Sequence, residues 1–229
     1  SALASLRHEQ AEAYEAIDAI GFSGGAHIGV LCDGAAKPLR PAIMWSDQRA
    51  HKQAAALATS GEAAESVEDI AGNAPNATWT LPQLIWLGAH EPNIIQATEK
   101  LYFAKDWLAA QLIGVSAQDH HVTDPTEAVG SLMAGRDNKW HDGLIALSGL
   151  SATALPHLVD IGSMIGMVSL GAAAAFGLPL VPVYQGAIDT SMEWLCVAPL
   201  DATSASLRLA SAGVVSFTSS DAARFAPVS

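Results

Sequence analysis

An α/β fold follows from three features of the sequence. Strand-like apolar runs alternate with helix-like segments; "LPLVPVYQGAIDTSMEWLCV" (residues 178–197) gives an apolar strand, a small-residue turn and a helix in succession; and half of the 229 residues are hydrophobic. That is enough apolar matter for one substantial core or two small ones, and it excludes a disordered chain.

The opening "SALASLRHEQAEAYEAI" carries Leu3, Leu6, Tyr14 and Ile17 at roughly helical spacing with charges between them, which predicts an amphipathic helix. "DAIGFSG", "HIGVLCD" and "PAIMWSD" are short runs rich in Ile, Val, Phe and Trp and read as strands. The hairpin-like connection "GAAKPLR", entered through Asp33-Gly34, joins the last two, so a small β-meander is expected.

Helical texture follows. "RAHKQAAALA" is alanine-rich, and "TLPQLIWLGAH" offers Thr80 as an N-cap, with Pro82 in the first turn. "KDWLAAQLIG" is a short helix ended by Gly114. Residues 115–138 hold few apolar anchors and several turn formers, predicting loop with short helical pieces. "HDGLIALSGL" is helical, after which strands and helices alternate to Asp189. "ASLRLASAGVVSFTS" reads as two strands around a small-residue turn.

A net charge of −12 with only 11 Lys and Arg excludes a nucleic-acid binder, whose affinity rests on clustered basic residues at phosphates. Cys32 and Cys196 lie in apolar runs and fit buried, reduced thiols in a cytosolic protein. No stretch has the length of a membrane span, and the first segment is too polar for a signal peptide. An acidic protein that handles small molecules is the expectation.

Four groups of residues could carry chemistry. Asp189 ends an apolar strand among Gly186, Ala187 and Thr190, where open α/β sheets collect ligands; it reads equally as a catalytic carboxylate or as the N-cap of the following helix. His27 follows the turn Ser23-Gly24-Gly25, either as a site residue or as a hydrogen-bonded structural one. In "MWSDQR", alternation puts Trp45, Asp47 and Arg49 on one strand face, as a pocket wall with a loop-holding pair or as a surface ion pair beside a buried Trp. "QDHHVTD" gathers metal-ligand types, but adjacent histidines diverge on any regular backbone and a polar loop accounts for them, so no metal site is expected.

Taken together, "AIGFSGGAHIGVLCDGAAKPLRPAIMWSDQR", "AGNAPNATWTLPQLIWLGAHEP", "FAKDWLAAQLIG", "TDPTEAVGS" and "VPVYQGAIDTSMEWLCVAPLDATSASLRLASAGVV" occur in the order and spacing of the FGGY carbohydrate kinases. The chain most resembles their xylulokinase branch, over nearly its whole length. The resemblance implies a fold of the actin-like ATPase, ribonuclease-H-like type, with sugar and ATP meeting between two domains. Residues 1–229 would be the N-terminal, sugar-binding domain without its first strands, and the C-terminal nucleotide-binding domain would not be present, so the fragment alone is expected to be inactive.

By the same resemblance, Asp189 would be the general base toward a sugar hydroxyl. Ala26 and His27 would touch the sugar, Thr190 would stand where the family has Asn or Gln, and Trp45 and Asp47 would lie nearby. Ser211 and Gly213 would belong to the turn that approaches the ATP phosphates, here Ala-Ser-Ala-Gly in place of Gly-Thr-Ser-Gly, which would weaken nucleotide binding. Gly25-Ala26 replaces Gln-Met and would widen the sugar pocket; Gln83 replaces a lysine. The implied reaction is ATP- and Mg²⁺-dependent phosphorylation of D-xylulose or a related ketopentose or polyol, in the cytoplasm. Alternatives are a ribulokinase, a glycerol or erythritol kinase, or a non-catalytic sugar-binding protein. The implied partners are a small-molecule sugar and ATP, with neither nucleic acid nor membrane, and a homodimer is open to it.

Overall fold

A computed structural model of the chain describes residues 2–59, 66–114, 120–197, 205–209 and 213–217. The amphipathic opening forms two helices, α1 (Ala2–Glu9) and α2 (Ala11–Glu15), and buries Tyr14. Then come β1 (Ile20–Gly21), β2 (Gly29–Cys32), α3 (His51–Thr59), α4 (Val67–Ala71), α5 (Thr80–His90), α6 (Pro92–Ala97), β3 (Lys100–Phe103) and α7 (Ala104–Ile113). Beyond them lie β4 (Val122–Thr123), α8 (Pro125–Gly130), α9 (Asp142–Ser148), β5 (His157–Leu158), β6 (Met164–Met167), α10 (Leu170–Phe176), β7 (Pro182–Tyr184), α11 (Asp189–Val197) and the hairpin β8 (Ala205–Leu209) and β9 (Gly213–Phe217).

β7 is the central strand of a three-stranded sheet, parallel to β1 (Ile20 opposite Val183) and antiparallel to β6. Beneath it Tyr14, Ile113, Val168, Val181 and Val183 form one core. A larger core packs α5 and α9 against the antiparallel pair β2 and β3 through Leu31, Leu84, Leu101, Phe103, Met133 and Leu144. Among the described residues no helix is long and apolar enough to cross a membrane.

The helical segments at 51–59, 80–90, 104–113 and 142–148, and the terminal hairpin, agree with the sequence reading. The expected meander does not form. After the single Cys32–Pro38 bridge the chain leaves the sheet, and β2 pairs instead with β3, seventy residues on. Pro38 and Pro41 supply no N–H to a ladder, which is why "PAIMWSD" stays out of it. Trp45, Asp47 and Arg49 therefore share no strand face. They sit on a turn closed by the Asp47 amide on the Met44 carbonyl, with Trp45 half exposed and the Arg49 guanidinium on both oxygens of Asp47, Nε to Oδ1 at 3.0 Å and Nη2 to Oδ2 at 2.7 Å. Those bonds hold the Asp47 carboxyl below its ordinary range.

Three smaller expectations also change. Thr80 is the first helical residue of α5 and not its cap; its hydroxyl donates to the His27 carbonyl at 2.8 Å. Residues 120–138 of the expected loop are better anchored than their polarity suggests, since Ala128, Leu132, Met133 and Ala134 are fully buried. Cys32 is buried, and burial pushes its thiol up to about 12, but Cys196 is exposed.

Candidate active site

The site begins where β7 ends. Gly186 packs directly on the chain leaving β1: a Cβ there would stand 1.8 Å from the Phe22 carbonyl oxygen, so no other residue fits. This contact brings Ile188 into a parallel bridge with Gly24 and puts the Asp189 amide on the Gly24 carbonyl at 2.9 Å. Asp189 opens α11 and is half-buried. Its Oδ1 accepts from the amide of Thr190 at 2.7 Å and from the Thr190 hydroxyl at 3.2 Å. Oδ2 makes no hydrogen bond among the described residues. Asp189 is thus the first helical residue and not the cap, and its carboxylate serves one orphan amide of the first helical turn.

Across from it, His27 has a left-handed backbone, φ 47°. Its amide donates to Oε2 of Glu127 at 2.7 Å, and its ring stacks on Trp79 with centroids 5.0 Å apart. Burial pulls the imidazole below its ordinary pKa, while the Thr78 backbone and the charge of Asp189 pull the other way. The ring is therefore neutral at pH 7 and lies within the field of Asp189.

Between these groups lies a cleft of about 530 Å³, walled by Ala26, His27, Trp79, Thr126, Ile188 and Thr190, with Asn73, Asn138 and Ser191 at its margin. Asp189 stands between two of the wall residues without itself forming wall. Of the residues expected from sequence, Ala26, His27 and Thr190 meet here with Asp189 beside them. Trp45 and Asp47 are not among the wall residues. Gly213 opens β9, and Ser211 lies outside the described residues. Trp79, Thr126 and the two asparagines went unnoticed in the sequence; the one signal available was Asp-Pro-Thr at 124–126, a helix cap followed by Pro at the first helical position.

Under the cleft lies a buried ionic network. Lys105 Nζ is 2.6 Å from Oδ1 of Asp106 and 2.6 Å from Oδ2 of Asp124. Thr123 donates to Oδ2 of Asp106, and Gln185 Nε2 donates to its Oδ1 at 2.8 Å. Burial alone would depress the Lys105 ammonium, but Asp106 and Asp124 at ion-pair distance outweigh it and keep the lysine charged. Of the polar residues of "QDHHVTD", Asp124 holds Lys105, Thr123 bonds Asp106, and His121 Nε2 lies 2.8 Å from the Leu101 carbonyl against the Tyr102 ring.

Comparison with known proteins gives the family and the fold. The family model for "FGGY family of carbohydrate kinases, N-terminal domain" matches residues 2–196. Xylulose kinase of Escherichia coli (strain K12) is 30% identical over 201 residues, which are 86% of this chain and 40% of that protein. Among solved structures, xylulose kinase from Rhodospirillum rubrum superposes with TM-score 0.83 at 26% identity, over 93% of this chain and 43% of the other. The Brucella ovis enzyme gives 0.72 at 28% identity, over 82% and 38%. The chain spans about two fifths of the length of these relatives, and its fold is theirs, of the actin-like ATPase type. That match, over most of the chain and on that fold, makes this chain a member of the FGGY family of carbohydrate kinases.

Proposed function

We propose that residues 1–229 form the sugar-binding N-terminal domain of an ATP-dependent carbohydrate kinase. The substrate is D-xylulose or a related ketopentose or polyol, and Asp189 is the general base. The observation that carries this reading is Asp189 between two wall residues of a cleft that His27 also lines, with no hydrogen bond on Oδ2 among the described residues. Neutral His27 and the Thr190 hydroxyl orient the sugar, and Ala26 leaves room beside them. Trp45 and Asp47 have no support from the cleft's outline as sugar contacts. Ser211 and Gly213 are proposed for the phosphate-approaching turn by resemblance alone.

Phosphoryl transfer asks the protein chiefly for positioning and charge neutralisation. The attacking hydroxyl is too weak an acid to ionise alone, so Asp189 accepts its proton as the new O–P bond forms and the bond from the γ-phosphorus to the departing ADP breaks. Among the described residues no group of three or more metal-ligating side chains converges. Mg²⁺ would come in on the nucleotide phosphates, leaving Asp189 as the proton acceptor. When bound, the ion neutralises charge on the transferred group.

An ADP-release assay on the complete protein, run against a panel of pentoses and polyols, tests the reading. Asp189→Asn is expected to lower kcat by about 10²–10⁴-fold with sugar affinity retained. A loss below about tenfold removes Asp189 from the role of base. Sugar binding with no turnover in the unaltered protein would favour a binding module over an enzyme.

A further inference from the structure

Helix α8 joins the buried ionic network to the loop that carries Asp189. Asp124 caps this helix: its Oδ1 accepts from the Thr126 amide at 2.8 Å and from the Thr126 hydroxyl, while its Oδ2 is held by Lys105 at 2.6 Å. The Thr126 hydroxyl has one proton, and Asp124 takes it. Its lone pairs then face the other way and accept the Ile188 amide at 3.1 Å. Because Lys105 occupies Oδ2 of Asp124 and leaves Oδ1 to Thr126, the hydroxyl has one orientation, and its bond to a carboxyl group makes it a better acceptor.

Ile188 is the residue before Asp189, and both amides stand at the start of α11, where no intrahelical acceptor exists for them. One goes to Thr126 and the other to the Gly24 carbonyl. The peptide that carries the carboxylate is thereby held from two sides.

We propose that Thr126 is a positioning residue for Asp189: its hydroxyl passes the fixed geometry of the Lys105–Asp124 pair to the Ile188 amide and so sets where the carboxylate stands at the edge of the cleft. The proposal rests on the reading of Asp189 as proton acceptor. Thr126 also lines the cleft, and a simple space-filling role would give the opposite mutational pattern. Space-filling tolerates Thr126→Val, which keeps the outline, and suffers from Thr126→Ser, which loses the methyl group. Positioning tolerates Ser, which keeps the hydroxyl, and suffers from Val.

The test is steady-state kinetics of the complete protein with its best sugar, beside Asp189→Asn. Thr126→Ser should keep kcat within about threefold. Thr126→Val should lower kcat by about 10–100-fold with sugar KM nearly unchanged, since a displacement of about 1 Å from the productive geometry costs on the order of 10²-fold. If Thr126→Val does not fold, Thr126→Ala takes its place under the same expectation. Unchanged kcat in the variant lacking the hydroxyl, a change in KM alone, or equal damage from Ser would overturn the proposal. An inactive Asp189→Asn beside a fully active Thr126→Val removes only the positioning role, whereas an active Asp189→Asn removes the base and the proposal with it.

Discussion

The backbone amide of His27 donates to Oε2 of Glu127 across 2.7 Å, tying the turn after β1 to a carboxyl group with no exposed surface. The bond accounts for a non-glycine residue at φ 47°, a conformation that costs about 1–2 kcal/mol. Glu127 on the amide and the Thr80 hydroxyl on the carbonyl hold it from both ends. Burial raises the Glu127 carboxyl well above its ordinary range; Lys105 opposes this, and Asp106 adds to it.

That shift gives stability a defined pH dependence. The folded state holds a proton on Glu127 that the unfolded chain releases near its ordinary value of 4.5. The contribution is complete below that value and is lost as pH rises toward the folded value. Glu127→Gln keeps an oxygen for the His27 amide and cannot ionise. Its unfolding free energy should therefore gain on that of the unaltered protein between pH 5 and pH 8, by at most about 1.4 kcal/mol per pH unit. Urea melts at the two values measure this, and a difference that does not change with pH would refute it.

Lys105 is the only cation in contact with Asp106 and Asp124 among the described residues. Lys105→Met preserves much of the volume but strands two buried carboxylates, a change that costs about 3–5 kcal/mol. At this chain length that corresponds to a Tm lowered by roughly 10 °C. The deficit should shrink as pH falls, since burial raises the Asp106 carboxyl and a proton on it removes an unpaired charge. A variant melting within about 2 °C of the parent at neutral pH would mean that the network carries little of the stability.

Local punctuation made much of this fold legible. Pro82 inside the first turn of α5 and Gly114 after α7 mark their helices, because each acts within one turn of chain. The pairing of β2 with β3 was not legible, since nothing near Gly29–Cys32 reports a partner at Lys100–Phe103, and the adjacent apolar run looked like the natural neighbour. Asp189 and His27 stood out because glycines flank them. Thr126 and Glu127 did not: their roles arise only when α8 packs between the two glycine turns, and a polar run such as "TDPTEAVGS" has the texture of a loop.

Trp79 is the wall residue whose loss should be felt by the sugar more than by the chemistry. It packs against the larger core with one part of its surface and stacks on His27 with another, so it both closes the cleft and fixes the imidazole plane. Stacked rings contribute about 0.5–1.5 kcal/mol beyond the area they bury, and 1.4 kcal/mol is tenfold in affinity. Trp79→Leu should therefore raise sugar KM in the complete protein by about tenfold, with kcat at saturating sugar changed less than about threefold. Trp79→Phe, which keeps a ring against His27, should recover most of the affinity. A kcat defect at unchanged KM would instead tie Trp79 to the placement of Asp189, and equal effects of Leu and Phe would show that bulk, not the stacked ring, is what the cleft requires.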